Sequence, residues 1–178
     1  SHLPGNTSIM EEFQNCIDLK KIFAIGYADL DKFKAYNDKY GFEKGDEVIK
    51  ELARILIKVI REQGGQNAFI GHIGGDDMVF IVDDAVADAT CEQIIREFDA
   101  KVPSFYPPED HKRGYIVAKD RQGKEQKFGL LAISIGIVSN AHQPITHVAQ
   151  ISEIGAELKK YAKSFEKSIC VRDKRSIK

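Results

Sequence analysis

Apolar residues recur along this chain with two different periods. Val48, Leu52, Ile55 and Val59 stand three or four apart within 45–62, the spacing of one helical face. Val148, Ile151, Ile154, Leu158 and Tyr161 do the same within 147–164, and Cys91, Ile94, Ile95 and Phe98 within 85–101. Met10, Phe13 and Ile17 predict a helix over 3–20, and DKFKAYNDKYG predicts a short one over 31–41, ending at Gly41. Between them lie runs of strand length: IFAIGYADL (22–30), LLAISIGIVSN (130–140) and a last strand, SICVR (168–172). AFIGHI and MVFIV are two more strands, joined by GGDD as a hairpin. The order helix, strand, helix, helix, hairpin, helix, strand, helix, strand predicts an α+β domain, an antiparallel sheet with helices on one or both faces. Residues 102–129 read as an insert. Pro103, Pro107 and Pro108 predict a loop in its first half, while GYIVAK and EQKF around DRQG predict an extra hairpin projecting into water.

Composition narrows the partners. The 178 residues suit one domain, 1–178. With 26 basic and 27 acidic residues there is no basic excess for duplex nucleic acid or an anionic membrane, so any anionic ligand must be held locally. No apolar run approaches the ~18 residues of a membrane span, and no secretory leader is visible. Cys16, Cys91 and Cys170 have no metal-ligand spacing and read as reduced thiols of a cytoplasmic protein. Ser1-His2 reads as an expression scar, and the chain as one piece of a longer multidomain signalling protein.

The candidate chemistry is acidic. Asp29 and Asp31 flank Leu30 at the end of the first strand, where i and i+2 share a face. If that strand lies beside the hairpin, Asp29 meets Asp76 and Asp77. Converging carboxylates raise one another's pKa unless cations neutralise them, and their hard oxygens suit Mg²⁺ or Mn²⁺. Turns favour Gly and Asp, so either motif alone is equally a hairpin turn or a solvated strand end. The pair, each following an apolar strand, points to a metal site. Gly74 and Gly75 permit positive φ and close approach of a phosphate or nucleobase.

YADLDKFKAYNDKYGFEKGDEVI (27–49) and GHIGGDDMVF (71–80) together resemble the GGDEF family, the catalytic domains of diguanylate cyclases, here with a GGDD hairpin. LPGN (3–6), SIGIV (134–138) and AELKKYAKSFEKS (156–168) are similar to further parts of that family, so the resemblance covers nearly everything but 102–129. It implies a palm-like, ferredoxin-like nucleotidyl cyclase fold around a mainly antiparallel five-stranded sheet. The implied activity is Mg²⁺-dependent condensation of two GTP into cyclic di-GMP, with release of pyrophosphate, by a two-fold homodimer under an N-terminal regulatory domain.

The same resemblance implies roles for individual residues. Asp29, Asp76, Asp77 and the Leu30 carbonyl take the metal positions, and Asp76 also helps to deprotonate the attacking hydroxyl. Asn37 and Asp46 take the guanine-reading positions. Lys34, Lys163 and, more loosely, Lys167 take phosphate contacts, with Lys163 and Lys167 as i,i+4 neighbours on one helical face. Lys32 and Phe33 offer backbone contacts to phosphate.

Some positions depart from the family pattern. Asp77 replaces the usual Glu, Met78 the usual Phe, and His72 a common Arg. His72 reads as a hydrogen-bonded hairpin side chain. The family's Arg-x-x-Asp product-inhibition site falls on Gly65 and Ala68, so none is expected there. Tyr115, Arg121 and Lys127 of the insert are candidates for partner contact, beside a structurally neutral reading of the insert. The departures leave a second reading open, a catalytically silent GTP-binding regulatory domain.

Overall fold

IFAIGYADL supplies a strand buried along its whole length, because helices cover both faces of the sheet it centres. The computed structural model describes residues 2–173; Ser1 and residues 174–178, which the single-domain expectation includes, lie outside them. Helix α1 (Asn6–Asp18) leads into this strand, β1 (Ala24–Asp31), then α2 (Phe33–Tyr40) and α3 (Phe42–Gln63). The hairpin β2 (Phe69–Gly74) and β3 (Asp77–Val82) precedes α4 (Ala87–Lys101). After the insert come β6 (Ala132–Ser139), α6 (Val148–Lys163) and β7 (Ile169–Arg172). The sheet order is β2-β3-β1-β6-β7, with only β6 and β7 parallel, the mainly antiparallel five-stranded sheet expected.

Alternation along the strands sorts their side chains into two layers. Ala24, Ala28 and Leu30 of β1, with Met78 and Phe80 of β3, pack among the apolar faces of α3 and α4. Ile25, Tyr27, Val79 and Ile81 pack on the other side with Ile9 and Phe13 of α1 and Ile151 and Leu158 of α6. Helix α6 lies unusually close to the sheet. A Cβ added at Gly155 would stand 2.4 Å from the Tyr27 ring, and one at Gly136 of β6 would stand 2.7 Å from the Leu158 Cβ. Lys159 and Lys163 follow Gly155 at steps of four on the same helical face, so this approach sets their height over the end of β1.

The insert differs from its expectation in two ways. Its first half is not a loop: a short 3₁₀ turn (Val102–Phe105) leads to α5 (Pro108–Arg113). Pro108 stands at the first helical position, where a missing N–H costs nothing. Nor does the hairpin, β4 (Tyr115–Lys119) and β5 (Glu125–Gly129), project into water. Ile116 and Ala118 alternate inward and join the main core. Tyr36, Tyr40 and Tyr106 stack between α2 and the insert with ring centroids 4.9–5.7 Å apart. Tyr36 donates to the Phe105 carbonyl at 2.7 Å, and Tyr40 donates to Asp110. One strand of the hairpin thus docks it on α2.

Two substitutions test this packing by urea denaturation. Ile116→Ala lowers stability by about 2–4 kcal/mol, the cost of emptying a core site, whereas a solvated hairpin would lose under about 0.5. Gly155→Val lowers it by about 1–3 kcal/mol by forcing α6 away from Tyr27.

Candidate active site

The end of β1 holds Asp29 and Asp31 at 8% and 5% exposure, a depth at which carboxylates need partners. Ser134 Oγ on the neighbouring β6 donates to Asp31 Oδ1 at 2.8 Å. The backbone N–H of Leu30 is shared, reaching Asp29 Oδ1 at 2.9 Å and Asp76 Oδ2 at 3.1 Å. Hairpin and strand are thereby tied at one amide. Lys163 Nζ donates to the Leu30 carbonyl at 3.0 Å and to Asp31 Oδ1 at 3.2 Å, and stands 3.1 Å from Asp29 Oδ2. Lys159 Nζ donates to Asp77 Oδ1 at 2.7 Å and lies 3.7 Å from Asp29 Oδ2. Asp29 and Asp76 thus meet at the Leu30 amide, and Asp77 joins them through Lys159, with two ammonium groups among the carboxylates.

Burial and like charge divide the two carboxyls bound to Leu30. Burial, then the hydrogen bond with Asp29 and its charge, push the Asp76 carboxyl up to about 7. Burial also works against the Asp29 carboxylate, but the hydrogen bond with Asp76 and the charges of Lys163 and Lys159 outweigh it and hold its pKa below the usual value. For Lys163, burial opposes the ammonium, and Asp29 and Asp31 overcome it and raise its pKa.

The hairpin turn carries the positive φ expected of its glycines. Gly74 and Gly75 have φ of +156° and +55°, and an added Cβ at either would meet nothing within 4 Å. Conformation, not room, requires glycine in this isolated chain. His72 Nε2 lies 2.8 Å from the Gly75 carbonyl and closes the turn, the hairpin role read for it.

A cleft of about 740 Å³ opens over these carboxylates. Asp29, Leu30, Asp76, Asp77, Gly75 and Lys163 line one end. Lys32, Phe33, Lys34 and Asn37 line the α2 side. Lys32 is held at φ +67°, and α2 starts without a side-chain cap for its first-turn N–H groups, in a turn whose residues line the cleft. Lys34 is paired with Asp38 at 2.6 Å and Lys32 with Glu166 at 3.6 Å. Asn37 lies against Gly45, where a Cβ would stand 1.8 Å from its Oδ1, and that oxygen is buried with no hydrogen-bond partner.

Not every expected residue joins this cleft. Gly74 is not among its lining, and Asp46, though next to Gly45, is exposed and outside it. Lys167 is also outside, because α6 ends at Lys163, and the chain turns through Glu166 at φ +53°, so the two lysines do not share a helical face. The i,i+4 neighbour that does share the Lys163 face is Lys159, four residues earlier on the same helix, and it is bonded to Asp77. Asp31 was legible as the strand partner of Asp29 but not as the acceptor for Lys163. Among the described residues, no three His, Cys, Asp or Glu side chains form a group spaced to hold a metal ion. No helix among them is long and apolar enough to cross a membrane.

Comparison with known proteins identifies the family and the fold. The family model described as "Diguanylate cyclase, GGDEF domain" matches residues 6–116, more than half of the chain, ending where β4 begins. The chain belongs to the GGDEF family. It is 33% identical over 93 residues to a diguanylate cyclase of Vibrio cholerae, covering 51% of this chain and 26% of that protein. It is 44% identical over 69 residues to the diguanylate cyclase DgcS of Shewanella oneidensis, covering 38% of this chain and 22% of that one. These matches therefore span about a quarter of the relatives' length. Its fold is that of the active GGEEF domain of a Vibrio cholerae diguanylate cyclase, with a TM-score of 0.69, 22% identity, and 98% and 100% of the two chains covered. It also matches the GGDEF domain of DgcB from Caulobacter crescentus, solved with c-di-GMP, with a TM-score of 0.65, 18% identity, and 97% and 92% covered.

Asp31→Ala should lower stability to urea by about 1–3 kcal/mol, because it strands the Ser134 hydroxyl and removes a carboxylate facing Lys163. Asp31→Asn, which keeps an oxygen for Ser134, should lose less.

Proposed function

We propose that this domain is a diguanylate cyclase catalytic domain that condenses two GTP into cyclic di-GMP and releases pyrophosphate. One observation carries the proposal. A single cleft joins Asp29, Leu30 and Asp76, at one end, to the uncapped first turn of α2 and to Asn37 along its side. Phosphoryl transfer asks mainly for positioning and charge neutralisation, which such a cleft supplies.

The donor set suits a divalent cation. The Leu30 carbonyl, Asp29 and Asp31 already hold one cationic nitrogen, that of Lys163, within 3.2 Å. Asp31 Oδ2 is buried without a partner. All these donors are hard oxygens, which favour Mg²⁺ or Mn²⁺. Asp29, Asp76 and the Leu30 carbonyl would hold the ion, with Asp77 beside them. When bound, it supplies neutralisation of phosphate charge and activation of the 3′-hydroxyl. The chain's own groups do the rest. The amides after Lys32 and the ammonium of Lys34 orient the phosphates, and Asn37 binds the guanine edge. Asp76, at the hairpin tip, accepts the proton of the attacking 3′-hydroxyl. That oxygen then bonds to the α-phosphorus of the second GTP as pyrophosphate leaves. Two identical substrates and a symmetric product fit two subunits facing across a two-fold axis. In the full-length protein, an N-terminal regulatory domain would bring the two subunits together in the cytoplasm.

A second reading, GTP held without turnover, is favoured by the pairing of Lys159 with Asp77 and of Lys163 with Asp29. These bonds neutralise the carboxylates without any metal.

Incubation of concentrated or artificially dimerised protein with GTP and Mg²⁺, followed by chromatography, should yield cyclic di-GMP, and EDTA should abolish it. Asp76→Asn should lower turnover by about 100-fold or more, with GTP still bound in calorimetry. Binding without product in either condition would establish the silent reading, and no binding at all would defeat both.

A further inference from the structure

The β4–β5 hairpin forms one wall of the nucleotide cleft. Lys119, Asp120, Arg121 and Phe128 line it opposite α2. The hairpin is docked rigidly: Ile116 and Ala118 are anchored in the core. Its tip is braced by one carboxylate, since Asp120 accepts from the amides of Gln122 and Lys124 at 2.8 and 2.9 Å and from Gln126 Nε2 at 2.6 Å. A smaller hollow of about 540 Å³ continues beside the cleft, between Lys34 and Lys39 of α2 and the same Lys119 and Arg121.

The charges in the cleft separate these two residues from the rest. Lys32 is paired with Glu166, Lys34 with Asp38, and Lys163 with Asp29 and Asp31. The side chains of Lys119 and Arg121 make no hydrogen bond, ion pair or ring contact among the described residues. Two other cations of the insert, Arg113 and Lys127, are committed to the Tyr115 ring at 5.0 and 4.7 Å. Of the cations that line the cleft, the uncommitted pair therefore stands on the hairpin. Lys34 at the start of α2 lines both hollows together with them, so these three cations face one space.

We infer that Lys119 and Arg121 are substrate-binding residues that contact the phosphate chain of the bound nucleotide, which makes the insert a working part of the site. This inference rests on the reading of the cleft as a GTP site. The Arg121 guanidinium offers a planar fork of donors matched to phosphate oxygens, and Lys119 a point charge. Neither has to leave another partner in order to bind.

The test is calorimetry of GTP and of GMP, each with Mg²⁺, on the whole chain and on Lys119→Gln, Arg121→Gln and the double variant. Both positions are exposed, so thermal unfolding should be unchanged. Each single variant should weaken GTP about tenfold or more while GMP, lacking the outer phosphates, changes far less. Arg121→Lys should recover part of the loss. Unchanged GTP affinity in the double variant, or equal weakening of GTP and GMP, would overturn the inference and leave the cleft a nucleotide site. Failure of the unaltered chain to bind either nucleotide would overturn the reading of the cleft, and this inference with it.

Discussion

Three aspartates brought together at the end of a buried strand have to be neutralised, and the molecule is arranged around that requirement. Asp29 and Asp31 sit at the last turn of the pleat in β1, where water is largely excluded. Their neighbour Asp76 arrives on the hairpin and shares the Leu30 amide. Like charges this close cannot all remain ionised without cations, and α6 brings two. Lys163 and Lys159 reach them because Gly155 and Gly136 let the helix lie against Tyr27 and β6. The close packing of α6 and the electrostatics of the site are thus one constraint.

That constraint bears on the chemistry proposed for the cleft. Two of the oxygens that hold the Lys163 ammonium, Asp29 Oδ2 and the Leu30 carbonyl, belong to the set proposed for a divalent ion, so lysine and metal would answer one electrostatic demand. The Asp at position 77 has a short side chain and ends on Lys159. The lysines of the site that the family resemblance implies are all paired in the chain alone, except Lys167, which lies outside the cleft. The hairpin supplies the charge that is left over. Its place depends on an aromatic stack between α2 and the insert, which joins Tyr106 to the helix that lines one side of the cleft.

Much of this was legible in one dimension. Helical periods at Val48 to Val59 and at Val148 to Tyr161, and the apolar runs ending in Asp29 and leading into Met78, placed every strand of the main sheet within a few residues. The pairing of an Asp-x-Asp strand end with a GGDD turn named the acidic centre, because both signals are local: strand alternation and turn chemistry depend on neighbours in sequence. The period placed the end of α6 within one residue, so the helical face read for Lys163 and Lys167 together could not follow from it. Less legible was the inward face of β4, where only Ile116 and Ala118 carry the alternation.

The sequence by itself determined the elements, the acidic pair of motifs and the family they define, since each rests on contacts a few residues long. The tertiary structure decided which lysine meets which carboxylate, that Asp46 is exposed beside the Gly45 that packs on Asn37, and that the insert's hairpin forms one wall of the cleft. Those outcomes depend on how near one element approaches another across the sheet. Gly155 against Tyr27 and Tyr106 against Tyr36 set those distances, and no spacing along the chain encodes them.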